Sequence, residues 1–205
     1  DLVPVLAREA EIAGGEESLE FKYRLGQVYE LQLNDLGAAI AAYRDVLSNA
    51  PDHRTTLEAL EGLFARAIRQ LEIGEILEPL YETSNEWEKL LGVLEAKLTH
   101  QKEPEERRAM YYRMAEICEE RLVALDGALG IHVRSLKEYP SDEKTLEEIE
   151  RLGRSTDGGW EMVANAYADV LGLHVDKSVQ TSTGLRLARV FEDELGDITK
   201  AEETY

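Results

Sequence analysis

Cysteine is almost missing. Cys118 stands alone in 205 residues, which rules out an intrachain disulfide and fits a reducing compartment, favouring the cytoplasm. Proline and glycine are sparse, at 5 and 15 residues, and they fall between periodic segments, so the chain reads as nearly all helix. No apolar run approaches the ~18 residues of a membrane span, and no secretory leader pattern occurs in these residues. Cations are in deficit: 23 Lys and Arg face 42 Asp and Glu, for a net charge of −19. That balance excludes gripping a phosphate backbone, which needs clustered Lys and Arg. It also excludes electrostatic docking on an anionic membrane. The hydrophobic fraction of 43% is enough for a core and too high for a disordered acidic tail. The excess acid reads as a solvated outer face.

What is present is repetition. Residues 23–63 align without gaps with residues 112–152 at an offset of 89, and Pro51 falls on Pro140. Residues 185–205 form an incomplete third copy at a further offset of 73. A second element repeats between these: Trp87 heads WEKLLGVLEAKL and Trp160 heads WEMVANAYADVL, again 73 apart. Leu2 and Leu6 fall on Leu90 and Leu94, a register that expects a Trp or other large apolar residue just before Asp1. The chain opens without Met and stops inside a copy, so a cut from something longer is expected. A helical unit that cannot bury its own apolar face must stack on its neighbours.

The composite units run over about 1–86, 87–159 and 160–205. The periodicity predicts helices over 2–13, 18–33, 35–49, 53–70, 73–83, 86–100, 105–122, 126–138, 142–152, 160–172, 178–195 and 197–205. Asp52 and Ser141, each just after the matched proline, are expected N-caps. Sixteen residues are inserted between Leu63 and Trp87. We expect 53–83 to form one long or kinked element bending at Gly74 and Pro79, or an extra helix packed out of line.

Leu25-Gly26-x-x-Tyr29, Ala39-x-x-x-Tyr43 and Pro51 together resemble the tetratricopeptide repeat signature. Copy two offers Met114-Ala115-x-x-Cys118, Ala128-x-x-x-His132 and Pro140; copy three offers Leu187-Ala188-x-x-Phe191 and Ala201-x-x-x-Tyr205. Small residues at the fixed positions let paired helices approach closely. The pattern departs from the family in three respects. The turn between paired helices is one residue longer, Lys22 replaces the signature Trp, and the Trp-headed segments make the period irregular. It looks like the divergent repeats of long bacterial multi-repeat proteins. The resemblance implies an all-α fold, a right-handed solenoid of antiparallel helix pairs with 11–12 helices, spanning residues 1–205 as a single fragment.

Catalytic signals are missing. His53, His100, His132 and His174 are scattered, with no metal-ligand spacing among them. Cys118 sits where the other copies have Tyr29 and Phe191, so it reads as core filler and not as a nucleophile. Trp87 and Trp160 recur in register and read as packing. No phosphate loop, nucleophile elbow or zinc-protease helix occurs. No cofactor or metal is implied.

In the tetratricopeptide family the first helix of each pair lines a concave groove. The resemblance projects groove positions onto Glu20, Tyr23, Arg24, Gln27 and Glu30 in copy one. It projects Ala109, Tyr112, Arg113, Glu116 and Glu119 in copy two, and Ser182, Leu185, Arg186, Arg189 and Glu192 in copy three. An Arg followed six residues later by Glu recurs in all three copies. Either a peptide-binding role or an ion-pair ladder between neighbouring repeats accounts for it. The Lys/Asn set that clamps a C-terminal carboxylate in some family members is absent. Tyr23 and Tyr112 beside carboxylates suit a mixed or basic peptide, because Tyr offers a large rigid contact. The leading expectation is a non-catalytic scaffold that binds a protein or peptide segment along this groove. The alternative is an assembly module stacking end to end on further repeats or on another copy. A third, a helical accessory domain of an enzyme, has no motif behind it.

Overall fold

The computed structural model describes residues 2–173 and 175–205. The described residues form twelve α-helices and no strand, and 82% of the chain is helical. Helices α1 (Leu2–Ile12), α2 (Gly15–Leu31), α3 (Leu36–Asn49), α4 (Arg54–Ala65), α5 (Gln70–Ser84) and α6 (Trp87–His100) come first. Then follow α7 (Pro104–Glu116), α8 (Leu125–Glu138), α9 (Glu143–Ser155), α10 (Gly159–Leu171), α11 (Lys177–Arg189) and α12 (Ile198–Thr204). The chain divides into two compact units, Asp1–Thr99 and His100–Tyr205.

In the first unit consecutive helices pack on one another from α1 to α5. Small residues set the spacing of the signature pair. Gly26 lies against the Tyr43 ring so closely that a Cβ there would overlap it. Tyr43, Ile40 and Val46 of α3 are fully buried. In the second unit α7 packs on α8, α8 on both α9 and α10, and α10 on α11. The start of α10 crosses α9 backbone to backbone. A Cβ on Gly159 would sit 2.5 Å from the Gly153 carbonyl oxygen.

The extra turn residue has a specific outlet. After α7 and α11 the backbone widens into a π-turn over Ile117–Arg121 and Val190–Glu194. The Leu122 N–H donates to the Ile117 carbonyl and the Leu195 N–H to the Val190 carbonyl, at 3.1 and 3.0 Å. The Leu33 N–H makes the matched bond to the Val28 carbonyl at 3.1 Å. One further bond closes each turn at 2.8 Å: Asp35 to Tyr29, Ala124 to Cys118 and Asp197 to Phe191. Each turn holds one residue in the left-handed region, namely Asn34 (φ 51°), Val123 (φ 54°) and Gly196 (φ 65°). Asp35 and Asp197 then cap α3 and α12 by accepting from the N–H of Ala38 and Lys200, at 3.0 and 3.1 Å. Ala124 at the same place offers no cap.

The inserted segment is neither one long helix nor a helix kinked at Gly74 or Pro79. The break falls at residues 66–69, where Ala67 (φ 57°) and Arg69 (φ 46°) turn the chain. Gly74 is buried inside α5 against Val93 of α6, and Pro79 is accommodated within α5. The N-caps of α4 and α9 are His53 and Asp142, one residue after the expected Asp52 and Ser141, and neither side chain caps the backbone. Pro104 does open α7, followed by Glu105 and Glu106 in its first turn.

Tyrosine hydroxyls fasten the helices. Tyr43 donates to Glu30 at 2.8 Å, Tyr81 to Glu61 at 2.9 Å, and Tyr111 to Glu138 at 2.5 Å. Tyr167 donates to Glu150 at 2.8 Å and Tyr205 to Glu192 at 2.9 Å. Burial and the Glu138 carboxylate push the Tyr111 phenol up to about 12. Burial and Glu30 push Tyr43 further in the same direction. These protons therefore stay on the phenols through the neutral range.

Candidate functional site

In the first unit the Tyr23 ring is half-buried on α2. It leans on the buried Tyr43 ring at 5.9 Å and on the His53 ring at 5.7 Å. The Tyr23 oxygen accepts from Gln27 Nε2 at 3.0 Å, and among the described residues no carboxylate takes its proton. His53 Nδ1 lies 2.8 Å from Thr56 Oγ1. Arg24 is exposed and pairs with Glu20 one turn back at 2.7 Å. Beside this group a recess of about 550 Å3 opens between the start of α2 and the start of α4. Glu16, Glu17, Glu20 and Asp52 line it, along with His53 and Arg54. Arg54 is matched by Glu58 at 2.8 Å, so the recess carries a net negative field.

The repeat mate in the second unit is closed. Tyr112 donates its proton to the Asp142 carboxylate and lies 3.3 Å from Thr145 Oγ1. Lys144 Nζ sits 4.1 Å over its ring, and His132 flanks it at 5.9 Å. Burial and the Asp142 bond raise its phenol above the ordinary value. Asp142 is the mate of His53, and Thr145 of Thr56. Both rings are half-buried, and one framework thus holds a Tyr hydroxyl that meets Gln27 in copy one and one that is bound to Asp142 in copy two. Neighbouring Tyr111 points inward and is buried.

The recurring Arg and Glu do different things in each copy. Glu30 and Glu192 accept from Tyr43 and Tyr205, which are repeat mates. In copy two that mate is His132, and Glu119 instead takes a bidentate pair from Arg151 at 2.8 and 2.6 Å, which holds its carboxyl below the usual range. Arg24 stays on its own helix. Arg186 crosses from α11 to α9, reaching Glu150 at 2.7 Å and Glu143 at 3.1 Å. Arg113 is half-buried, whereas Glu116 and Arg189 are exposed. Ala109, Ser182 and Leu185 are exposed as well.

Residues 19–53, which span most of α2 and all of α3, match the family model for the tetratricopeptide repeat. Over these residues the chain is similar to the tetratricopeptide repeat. No curated protein matches it. Tetratricopeptide repeats generally mediate protein–protein interaction and are generally non-catalytic. Among the described residues no group of three His, Cys, Asp or Glu could hold a metal ion, and no helix is long and apolar enough to cross a membrane. Cys118 is buried, and Trp87 and Trp160 are half-buried. His174 lies outside the described residues.

Two features of these repeats escape a reading by family positions. Glu61 accepts from Tyr81 and from Lys89 at 2.9 Å each. Its mate Glu150 accepts from Tyr167 at 2.8 Å and from Arg186 at 2.7 Å. By this measure α5 does for α4 what α10 does for α9, although Trp160 matches Trp87 of α6 in sequence. The 89-residue offset between Glu61 and Glu150 was the available signal. Their different partners, on helices of different register, concealed it.

Proposed function

We propose that this chain is a non-catalytic scaffold that holds a basic segment of another protein on the α2–α4 face of its first unit. The observation that carries the reading is a recess lined by four carboxylates and His53, with the half-buried Tyr23 ring packed 5.7 Å behind the His53 ring. The ring pair gives a rigid apolar contact, and the acidic wall selects for Lys and Arg. Tyr23, Glu20, Gln27 and Arg24 are the contact residues; Glu30 positions Tyr43 beneath them. Within the second unit, Arg113, Glu116 and Glu119 of copy two and Arg186, Arg189 and Glu192 of copy three are the matched positions. Tyr112 acts as a strut.

The test compares wild type with a Glu16→Lys, Glu20→Lys, Tyr23→Ala variant as bait in an extract of the native cell. Proteins captured by wild type and lost with the variant should share Lys/Arg-rich segments, and synthetic peptides of those segments should compete. An unchanged capture list refutes the reading.

A second reading, assembly by stacking, is favoured by Leu2, Val5 and Ile12, which stand exposed on α1. Light scattering over a range of concentrations checks it. A mass that rises with concentration and is restored to the monomer by Val5→Glu supports stacking.

A further inference from the structure

A separate cleft of about 580 Å3 lies in the first unit between the start of α4, the end of α5 and the start of α6. Pro51, Leu57, Pro79 and Leu80 give it an apolar wall. The second unit shows what such a space holds. Matching the Glu61–Tyr81–Lys89 triad to the Glu150–Tyr167–Arg186 triad places α4 on α9, α5 on α10 and α6 on α11. The last two helices differ in length. Two residues of α6 precede Lys89, and nine residues of α11 precede Arg186. At about 1.5 Å per residue the difference is roughly 10 Å of helix, about two turns.

Those turns lie toward the start of α9, because Arg186 also reaches Glu143, the mate of Arg54. Leu146 is 4% exposed, whereas its mate Leu57 is half-buried. The cleft therefore lies beside the N-terminal end of α6, at the place where the matched α11 runs about two turns further.

We infer that this cleft is a berth for a short amphipathic helix of a partner protein, two to three turns long, bearing cations and no carboxylate. α11 is the template: the two turns that α6 lacks, Lys177–Thr183, contain Lys177, no acid and a buried Thr183, while Arg186 and Arg189 fall where α6 has Lys89 and Gly92. The charges agree. Arg54 is matched by Glu58 and Lys89 by Glu61, which leaves Asp52 and Glu86 as the surplus acids on the cleft, Glu86 lying 3.8 Å from Lys89. The berth shares Asp52 and Arg54 with the recess between α2 and α4 but none of its apolar wall, and variants at Leu57 and Leu80 touch the berth alone, so the two readings fail independently.

The experiment titrates the full chain into a fluorescein-labelled peptide of the Lys177–Arg189 sequence and follows anisotropy. Saturable binding is expected. Leu57→Glu with Leu80→Glu should weaken it about tenfold or more, and Tyr23→Ala should leave it within about twofold. If circular dichroism shows that the leucine pair disturbs folding, Pro79→Glu with Thr83→Glu, both exposed positions on the same cleft, replaces it. A peptide with Lys177→Gln, Arg186→Gln and Arg189→Gln should bind about fivefold more weakly or worse. The inference is overturned by no saturation up to about 1 mM, by binding that the cleft variants leave unchanged, or by equal binding of the neutral peptide.

Discussion

Val123 occupies the left-handed region at φ 54° in the turn after α7, where copies one and three place Asn34 and Gly196. A β-branched residue there costs about 1–2 kcal/mol against a residue at home in that region. The next residue, Ala124, leaves α8 without the cap that Asp35 and Asp197 supply to α3 and α12. An Asp cap contributes about 1 kcal/mol over Ala. Val123 is 79% exposed, so only about a fifth of its side chain leaves water, and losing it costs on the order of 0.4 kcal/mol. The double replacement Val123→Asn, Ala124→Asp copies the first turn into the second. It should stabilise by about 2 kcal/mol, which for about 200 residues raises the midpoint of thermal unfolding by about 4–8 °C. Far-UV circular dichroism on heating, with urea unfolding beside it, reads this out. The reverse change, Asn34→Val, should destabilise the first turn by about 1–2 kcal/mol. An unchanged or lower midpoint for the double variant would refute the claim that this turn is strained and uncapped.

Gly159→Ala should destabilise by about 2 kcal/mol or more, because its Cβ meets the Gly153 backbone and cannot be accommodated by a rotamer. Gly62→Ala, with open space around it in α4, should instead stabilise by about 1 kcal/mol; urea midpoints separate the two signs. Tyr112→Phe should cost about 1–1.5 kcal/mol by leaving Asp142 and Thr145 without the phenol, whereas Tyr23→Phe should cost less than about 0.5. His132 is buried, and loss of hydration lowers its proton affinity below the ordinary value. The unfolded chain then binds the proton more readily, so stability is full above pH ~6.5 and falls as pH drops through that value. His132→Tyr, the residue of the other two copies, should flatten urea midpoints between about pH 7 and 5.

Much of the fold is legible in the sequence because the 89-residue copy forces matched helices, and their predicted limits fall close to those of the structure. The break at residues 66–69 is not legible. Ala67 and Arg69 take left-handed conformations without glycine or proline to announce them. The π-turns show in the sequence only as one surplus residue, since no residue type encodes the wider hydrogen bond. For the candidate site, family positions name residues on α2, α7 and α11. They do not say which side chains are already engaged. Tyr23 and Tyr112 look alike in sequence, and His53 against Asp142, at the start of another helix, decides which hydroxyl is bound to a carboxylate. The α6 cleft is invisible until the lengths of α6 and α11 are compared around their shared triad.

Six of the nine tyrosines donate to a carboxylate. In a chain with almost twice as many acids as bases, a phenol is an uncharged stand-in for a missing cation. It satisfies the acid, keeps the proton through the neutral range, and draws on none of the scarce Lys and Arg. Such bonds are short-ranged and resist salt screening, whereas repulsion among the surplus carboxylates is long-ranged and is screened. Added salt should therefore relieve the one electrostatic burden of this protein while leaving its phenol fastenings in place.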